Sequence, residues 1–287
     1  TDLCTNNLST PNFVLNNIAL GSELVAPSSG VNGSVGLSQY SHTASSGGQM
    51  SLSQSVSEVG VFRFTATPPL YMGYALPVAK SAPVGRFTPY DFVLSNGSVT
   101  AGCGSFSYMG QPMPTSFTVT ARNSNGGTTW NYRDEFARGG VSLVAENGDN
   151  GVSLSSRLSG LSGLSWQAGL FTTPDNYAVS FARNTPPDGP FSQLAIGVSV
   201  DDPDDIPLLN RDMNVLTSGS CGSSCSAVRI STQDLRHGRL SVSSGRAAVD
   251  SALALPLMME SYTGSGWQRN VEEACTQLDL QANGGFV

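Results

Sequence analysis

The sequence predicts an all-β fold of tandem immunoglobulin-like β-sandwich modules, on three observations. Short runs alternate apolar and polar residues with the period of a half-buried strand. Asn-Gly and Pro-containing turn chemistry recurs between them, at Asn32-Gly33, Asn96-Gly97, Asn125-Gly126 and Asn147-Gly148. Helical periodicity is nearly absent: LRHGRL (235–240) and VEEACTQL (271–278) fit short helical turns, and nothing longer does. Many short strands with explicit turns point to sandwiches.

Taken in order, VFRFTATP (61–68) sets Phe62 and Phe64 against Arg63 and Thr65. SFTVTARN (116–123) places Phe117, Val119 and Ala121 on one face and Thr118, Thr120 and Arg122 on the other. NYAVSFARN (176–184) repeats the pattern with Tyr177, Val179 and Phe181. QLAIGVSV (193–200) offers Leu194, Ile196, Val198 and Val200, and AVRIST (227–232) and GRLSVSSG (238–245) follow. The opposite faces carry Ser and Thr, which suit a solvated pleated surface. A boundary is expected in the Pro-punctuated AKSAPVGRFTP, around 80–89, and another in DDPDDIPLLNRDMN, around 201–214. This divides the chain into modules 1–84, 85–205 and 206–287, the last short for a sandwich and either incomplete or packed on the second.

Charged residues make up only 12% of the 287 residues, the net charge is −7, and Lys80 is the sole lysine. No cationic cluster exists to displace phosphate counterions, so nucleic acid is an unsuitable partner. Anionic lipid is disfavoured for the same reason, and no apolar run reaches the ~20 residues of a membrane helix, so direct membrane insertion is not expected. Thr1 opens within polar sequence, as the start of a mature or excised segment would.

The residues that could carry chemistry are few. Cys221 and Cys225, in GSCGSSCS, lack nearby histidines and suit a short-loop disulfide better than zinc, which points to an oxidising, extracytoplasmic setting. Five cysteines leave the pairing of Cys4, Cys103 and Cys275 open. Cys103, in CGSFSYMGQP, has no adjacent cation to activate a thiolate and reads as a packing and disulfide element. The acidic run Asp201, Asp202, Asp204 and Asp205 has oxygen ligands that suit calcium, the one cofactor the sequence suggests. It lacks the spacing of a calcium loop, and Pro203 and Pro207 equally suit a stiff linker. No G-x-S-x-G exists, and a serine triad would have to use His42 or His237; Asp234, three residues before His237, is the only nearby carboxylate at a suggestive spacing. Trp130, Trp166 and Trp267 could stack on sugars, though half-buried strand rings explain them more simply.

An ordered set of segments carries a resemblance: ELVAPSSGVNGSVGL, SEVGVFRFTATP, VGRFTPYDFVL, CGSFSYMGQPMPTSFTVTARNSNGGTTWNYRDEFA, LRHGRLSV and SGWQRNVEEACTQL. Together they resemble the C-terminal region of the MshQ-like proteins of MSHA biogenesis, a bacterial family of unknown function. The resemblance runs over nearly the whole chain and departs from the pattern at His237, where relatives carry tyrosine. It implies a segment of a large secreted or surface-exposed protein encoded with type IV pilus machinery, and it supplies no catalytic residue.

The expected function is therefore a non-enzymatic structural or adhesive module of an extracellular or cell-surface bacterial protein. Its expected partners are other pilus or surface proteins, further domains of the same protein, or glycans. A carbohydrate-binding module and a glycoside hydrolase with dispersed carboxylates are the alternatives.

Overall fold

The computed structural model describes residues 10–216 and 219–277. They form seventeen strands and four three-residue 3₁₀ turns, with no longer helix among the described residues. The first strands are β1 (Leu15–Ala26), β2 (Gln39–His42), β3 (Gly60–Thr67), β4 (Ala79–Lys80) and β5 (Val84–Phe87). They make one antiparallel sheet in the order β2-β1-β3-β4, with β5 also on β3. Phe62 of β3 is fully buried and meets the Phe87 ring edge-on at 6.0 Å. The segment expected as a linker at 80–89 thus belongs largely to this sheet. Only Thr88, Pro89 and Tyr90 separate it from the next strand.

The central strands are β6 (Asp91–Val99), β7 (Ser107–Tyr108), β8 (Met113–Arg122), β9 (Gly140–Asn147), β10 (Val152–Ser153), β11 (Leu170–Thr172), β12 (Ala178–Val179), β13 (Phe191–Asp201) and β14 (Ala227–Arg236). One sheet runs β10-β9-β13-β14-β7, and the other runs β11-β8-β12 with β6 also on β8. Their inner faces share a single core. Phe92, Phe117, Val119, Ala121 and Phe171 come from one side, and Leu143, Ala145, Leu194, Ile196, Val198 and Leu235 from the other. The alternation read in SFTVTARN is the inward face of β8. Trp166 fills the middle of this core, its ring 4.9 Å from Tyr132 and 5.3 Å from Phe92, and its indole N–H donates to the Gly139 carbonyl. Val59 reaches this core from the first sheet, with Ala26 and Val61 packed against it, so that sheet leans on the sandwich.

The last strands are β15 (Gly238–Val242), β16 (Leu257–Tyr262) and β17 (Trp267–Arg269), a separate antiparallel sheet in that order.

Several local expectations change. The 206–287 segment divides: β14 pairs along most of β13 and completes the sandwich, because the inward residues of β13 need a neighbouring strand on each side, and β9 supplies only one. LRHGRL is strand rather than a helical turn, joining β14 to β15 with His237 buried at the crossover. NYAVSFARN contributes only Ala178–Val179 to β8. Beyond it, Ser180 and Ala182 donate their amides to Ser159 Oγ and the Arg157 carbonyl instead. Asn96-Gly97 sits within β6 as a bulge, with Asn96 at φ 54°. A Cβ at Gly97 would lie 2.6 Å from Ile230 Cγ2, so the glycine lets β14 pass close behind β6. Trp130 lies in a turn rather than a strand, with its residue 55% exposed.

Candidate functional site

The cysteines resolve first. Cys221 and Cys225 are bonded to each other, with Cα atoms 5.0 Å apart, and Cys103 is bonded to Cys275 across a sequence separation of 172. Cys4 lies outside the described residues. Around Cys103 the stretch 103–112 packs as apolar filling. Phe106 and Met109 are buried, the Arg236 guanidinium lies 4.3 Å over the Phe106 ring, and Asn270 donates to the Tyr108 hydroxyl. Burial, reinforced by the neighbouring Glu273 carboxylate, pushes the Tyr108 hydroxyl up to about 12. Although burial opposes it, Glu273 is held below the usual carboxylate range by Tyr108 and by the amides of Thr276 and Cys275. Glu273 lies close enough to both sulfurs to suggest a metal cluster. A disulfide offers no thiolate, however, so this group is structural.

The acidic run does not gather as the calcium expectation requires. Asp202 is buried: it accepts the Tyr132 hydroxyl on one oxygen and the Asp204 amide on the other. Asp204 instead faces Arg86 at 2.5 Å and Arg138 at 3.7 Å, and the Arg86 bond holds its carboxyl below the usual range. Among the described residues, Asp201, Asp202, Asp204 and Asp205 form no cluster of three or more convergent carboxylates. The run ties the end of β13 to the β5–β6 connection.

The histidines do not build a triad. His42 Nδ1 meets the Tyr40 hydroxyl at 2.8 Å. Asp234 pairs with Arg236, and the carboxylate nearest His237 is Asp188, at 3.8 Å from Nδ1. Asp188 itself is clamped by Arg157, which also lies 4.3 Å over the Phe181 ring. Burial, then the charge of Arg183, lowers the His237 pKa from its ordinary 6.5. The unfolded chain therefore takes up this proton before the folded one does. Stability is fully present above pH 6.5 and falls as acidity drives His237 toward its lowered folded pKa. We expect the wild type to lose more stability between pH 7.5 and 5.5 than His237→Gln does, measured by urea unfolding at both pH values. Equal losses in the two proteins would remove His237 from the acid response.

A second arrangement was not legible from motifs. On β13 the inward residues are Leu194, Ile196 and Val198, while the outward ones are small: Ala195, Gly197 and Ser199. Register places Glu146 of β9, Ala195 and Thr232 of β14 in one row on that outer face. Met213, from the connection between β13 and β14, packs beside Ala195 and Ala227, and a Cβ at Gly197 would lie 2.8 Å from its sulfur. Next to Met213 the face stays open as a pocket of about 400 Å3, lined by Glu146, Gln193, Ala195, Asp212, Arg229 and Thr232 and rimmed by Gly219 and Ser220. The Cys221–Cys225 disulfide anchors that rim. Glu146 is only 5% exposed, and burial raises its pKa against the nearby Arg229 charge. Its carboxylate accepts no hydrogen bond from a described residue. Asp212 accepts the Arg229 amide at 2.8 Å, and the Arg229 guanidinium makes no ion pair within 4 Å among the described residues.

Another concavity of about 400 Å3 lies between the first sheet and the sandwich, beside the exposed Tyr90, with Ser34, Ser57, Thr88, Asn123 and Asn125 in its walls. Its polar groups largely satisfy one another: Ser34 and Ser57 hydroxyls are bonded, and Asn123 donates to the Ser57 carbonyl. The tryptophans make no shared platform among the described contacts. Trp166 is core, Trp267 packs against His237 and Tyr262 beneath Arg239, and Trp130 alone is well exposed.

No curated protein and no solved structure matches the chain. A family model does: the one described as DUF6701, third domain, covers residues 58–228. That span begins at the buried Glu58, takes in β3 to β13 and only the first two residues of β14, and so stops just short of Arg229 and Thr232 in the outer-face pocket. Because the match extends over more than half of the sequence, the chain belongs to the DUF6701 third-domain family, whose function is unknown.

Proposed function

We propose that this chain is a non-enzymatic structural or adhesive module of a surface-exposed bacterial protein. The observation that carries the reading is the Cys103–Cys275 bond, which fastens the chain beyond β17 to the hairpin before β7 and so locks the terminal sheet onto the sandwich. Disulfides of this kind persist in oxidising compartments. Polar ties act in the same direction: Asn131 joins the β1–β2 loop to the sandwich, and Arg86 joins the first sheet to the end of β13. A module cross-linked at several levels suits mechanical continuity between its neighbours, either further domains of the same protein or other surface proteins. The placement beside type IV pilus machinery rests on the sequence resemblance. No helix among the described residues is long and apolar enough to cross a membrane.

In-frame removal of this segment from its parent protein is expected to reduce surface attachment of the cells severalfold while the shortened protein is still displayed. The purified chain is expected to release no reducing sugar from polysaccharides. Unchanged attachment with normal display, or hydrolysis that survives purification and disappears in Glu146→Gln, overturns the reading.

A further inference from the structure

We propose that the pocket on the outer face of β9, β13 and β14 is a binding site for a neutral saccharide, with Glu146 accepting and Arg229 donating hydrogen bonds to its hydroxyls. The inference deepens the adhesive part of the reading above and rests on that reading only for its biological meaning.

Three observations converge on it. The first is the floor. Strand β13 turns Ala195 and Gly197 outward where larger residues would fill the space, and Met213 covers only the Gly197 end. The remaining volume, about 400 Å3, falls within the ~300–1,000 Å3 of small-molecule sites and suits one or two sugar rings.

The second is the state of Glu146. A carboxylate in a residue 5% exposed, with no hydrogen-bond donor among the described residues, bears a desolvation cost that the nearby Arg229 charge offsets only in part. Its oxygens border the pocket, so a ligand that supplies donors would relieve that cost.

The third is the mix of chemistry. Glu146 and Asp212 can only accept while ionised, whereas the Arg229 guanidinium can only donate. The carboxylates repel an anion. A divalent cation meets only two carboxylates and is opposed by Arg229. A sugar hydroxyl donates and accepts at once, and vicinal hydroxyls answer both demands from one ring. The side chains of Gln193 and Thr232 add further groups of mixed character. An extended peptide is less suited to the floor of the pocket, because β13 is paired with β9 on one side and β14 on the other and offers no free edge for strand addition there.

The Cys221–Cys225 disulfide acquires a role on this view. It closes a sequence separation of only 4, so it contributes less to global stability than the Cys103–Cys275 bond, and it fixes the rim of the pocket at Gly219 and Ser220.

The test uses the whole chain and saturation-transfer NMR with galactose, mannose, glucose and N-acetylglucosamine as separate probes. At least one is expected to bind with a Kd on the order of 1 mM, the range of a small polar site. Glu146→Ala and Thr232→Phe, the second placing a ring over the floor from an exposed strand position, are each expected to weaken binding at least tenfold with the fold intact by circular dichroism. Cys221→Ser with Cys225→Ser is expected to weaken binding while lowering the melting temperature less than Cys103→Ser with Cys275→Ser does, and Tyr90→Ala, in the other concavity, is expected to leave binding unchanged. Absence of binding by all four sugars overturns the proposal, as does binding that survives both Glu146→Ala and Thr232→Phe. Equal competition by calcium or by a short peptide would likewise assign the pocket to another ligand class and overturn it. Failure of attachment in cells with sugar binding intact would instead count against the adhesive reading alone.

Discussion

Replacing Asn131 with alanine is expected to lower the free energy of unfolding by about 2–4 kcal/mol, because it strands one buried and two part-buried backbone groups at up to about 1–3 kcal/mol each, the part-buried ones relieved in part by water. Asn131 is 0% exposed. Its side-chain oxygen accepts the Val31 amide at 2.7 Å, and its NH2 group donates to the Val31 carbonyl at 2.9 Å and the Val59 carbonyl at 3.0 Å. One amide group thereby satisfies both backbone groups of Val31 in the β1–β2 loop and one at the entry to β3. Gly30 makes the approach feasible, since a Cβ there would lie 2.6 Å from the Asn131 oxygen. Glu58 holds the site from below, accepting the amides of Trp130 and Asn131, both at 3.1 Å. Burial raises the Glu58 pKa, and those amides oppose the shift. Native stabilities are typically ~5–15 kcal/mol, so the loss would be a large share of the total. Guanidinium unfolding of Asn131→Ala beside the exposed control Asn125→Ala checks it. A difference between the two of less than about 1 kcal/mol would show that water satisfies the Val31 and Val59 groups unaided.

Breaking the Cys103–Cys275 bond is expected to cost up to about 5 kcal/mol, since the chain-entropy estimate of about 4.7 for a 100-residue loop grows slowly with length. The separation here is 172 residues, against 4 for Cys221–Cys225, for which the same relation gives about 2 kcal/mol, so the larger share of the sensitivity to reductant should reside in the long bond. Cys275→Ser with Cys103→Ser should reproduce most of the drop in melting temperature seen in reductant, and the same exchange at Cys221 and Cys225 should reproduce less than half of it. Some attachment will persist in the reduced protein. Arg236 reaches the Asn270 side chain at 3.0 Å and Glu272 at 2.6 Å, and Asn270 reaches the Tyr108 hydroxyl at 2.7 Å. If reductant leaves the melting temperature and the rate of tryptic digestion unchanged, the covalent lock is dispensable. The extracellular, disulfide-supported reading would then lose its physical basis.

Other salt bridges deserve smaller expectations. Lys80 and Glu23 meet at 2.5 Å, but both side chains are nearly half exposed, so solvent screens the pair and it contributes little. Asp91 and Arg122, a bidentate pair at 2.8 and 3.0 Å joining the start of β6 to the end of β8, is the better anchored because Asp91 is buried.

By itself the sequence determined what depends on neighbours along the chain. Alternation in SFTVTARN and QLAIGVSV fixed which faces of β8 and β13 turn inward, because a strand's side chains alternate whatever lies beside it. The Cys221–Cys225 bond was legible for a similar reason: three intervening residues keep the two sulfurs within reach. Tertiary structure decided everything that depends on distant partners. It set β14 beside β13 across the acidic run, joined Cys103 to Cys275, and turned LRHGRL into strand by burying His237 between two sheets. It dispersed Asp202 and Asp204 to Tyr132 and Arg86, where a linear run of carboxylates had suggested calcium. The outer-face pocket also waited on the fold. Its one clue was the small outward set Ala195, Gly197 and Ser199, and only strand register brings Glu146 and Thr232 to either side of it. A strand's own pattern records which face is buried, whereas the residues that meet across a sheet are chosen by pairing over long stretches of chain.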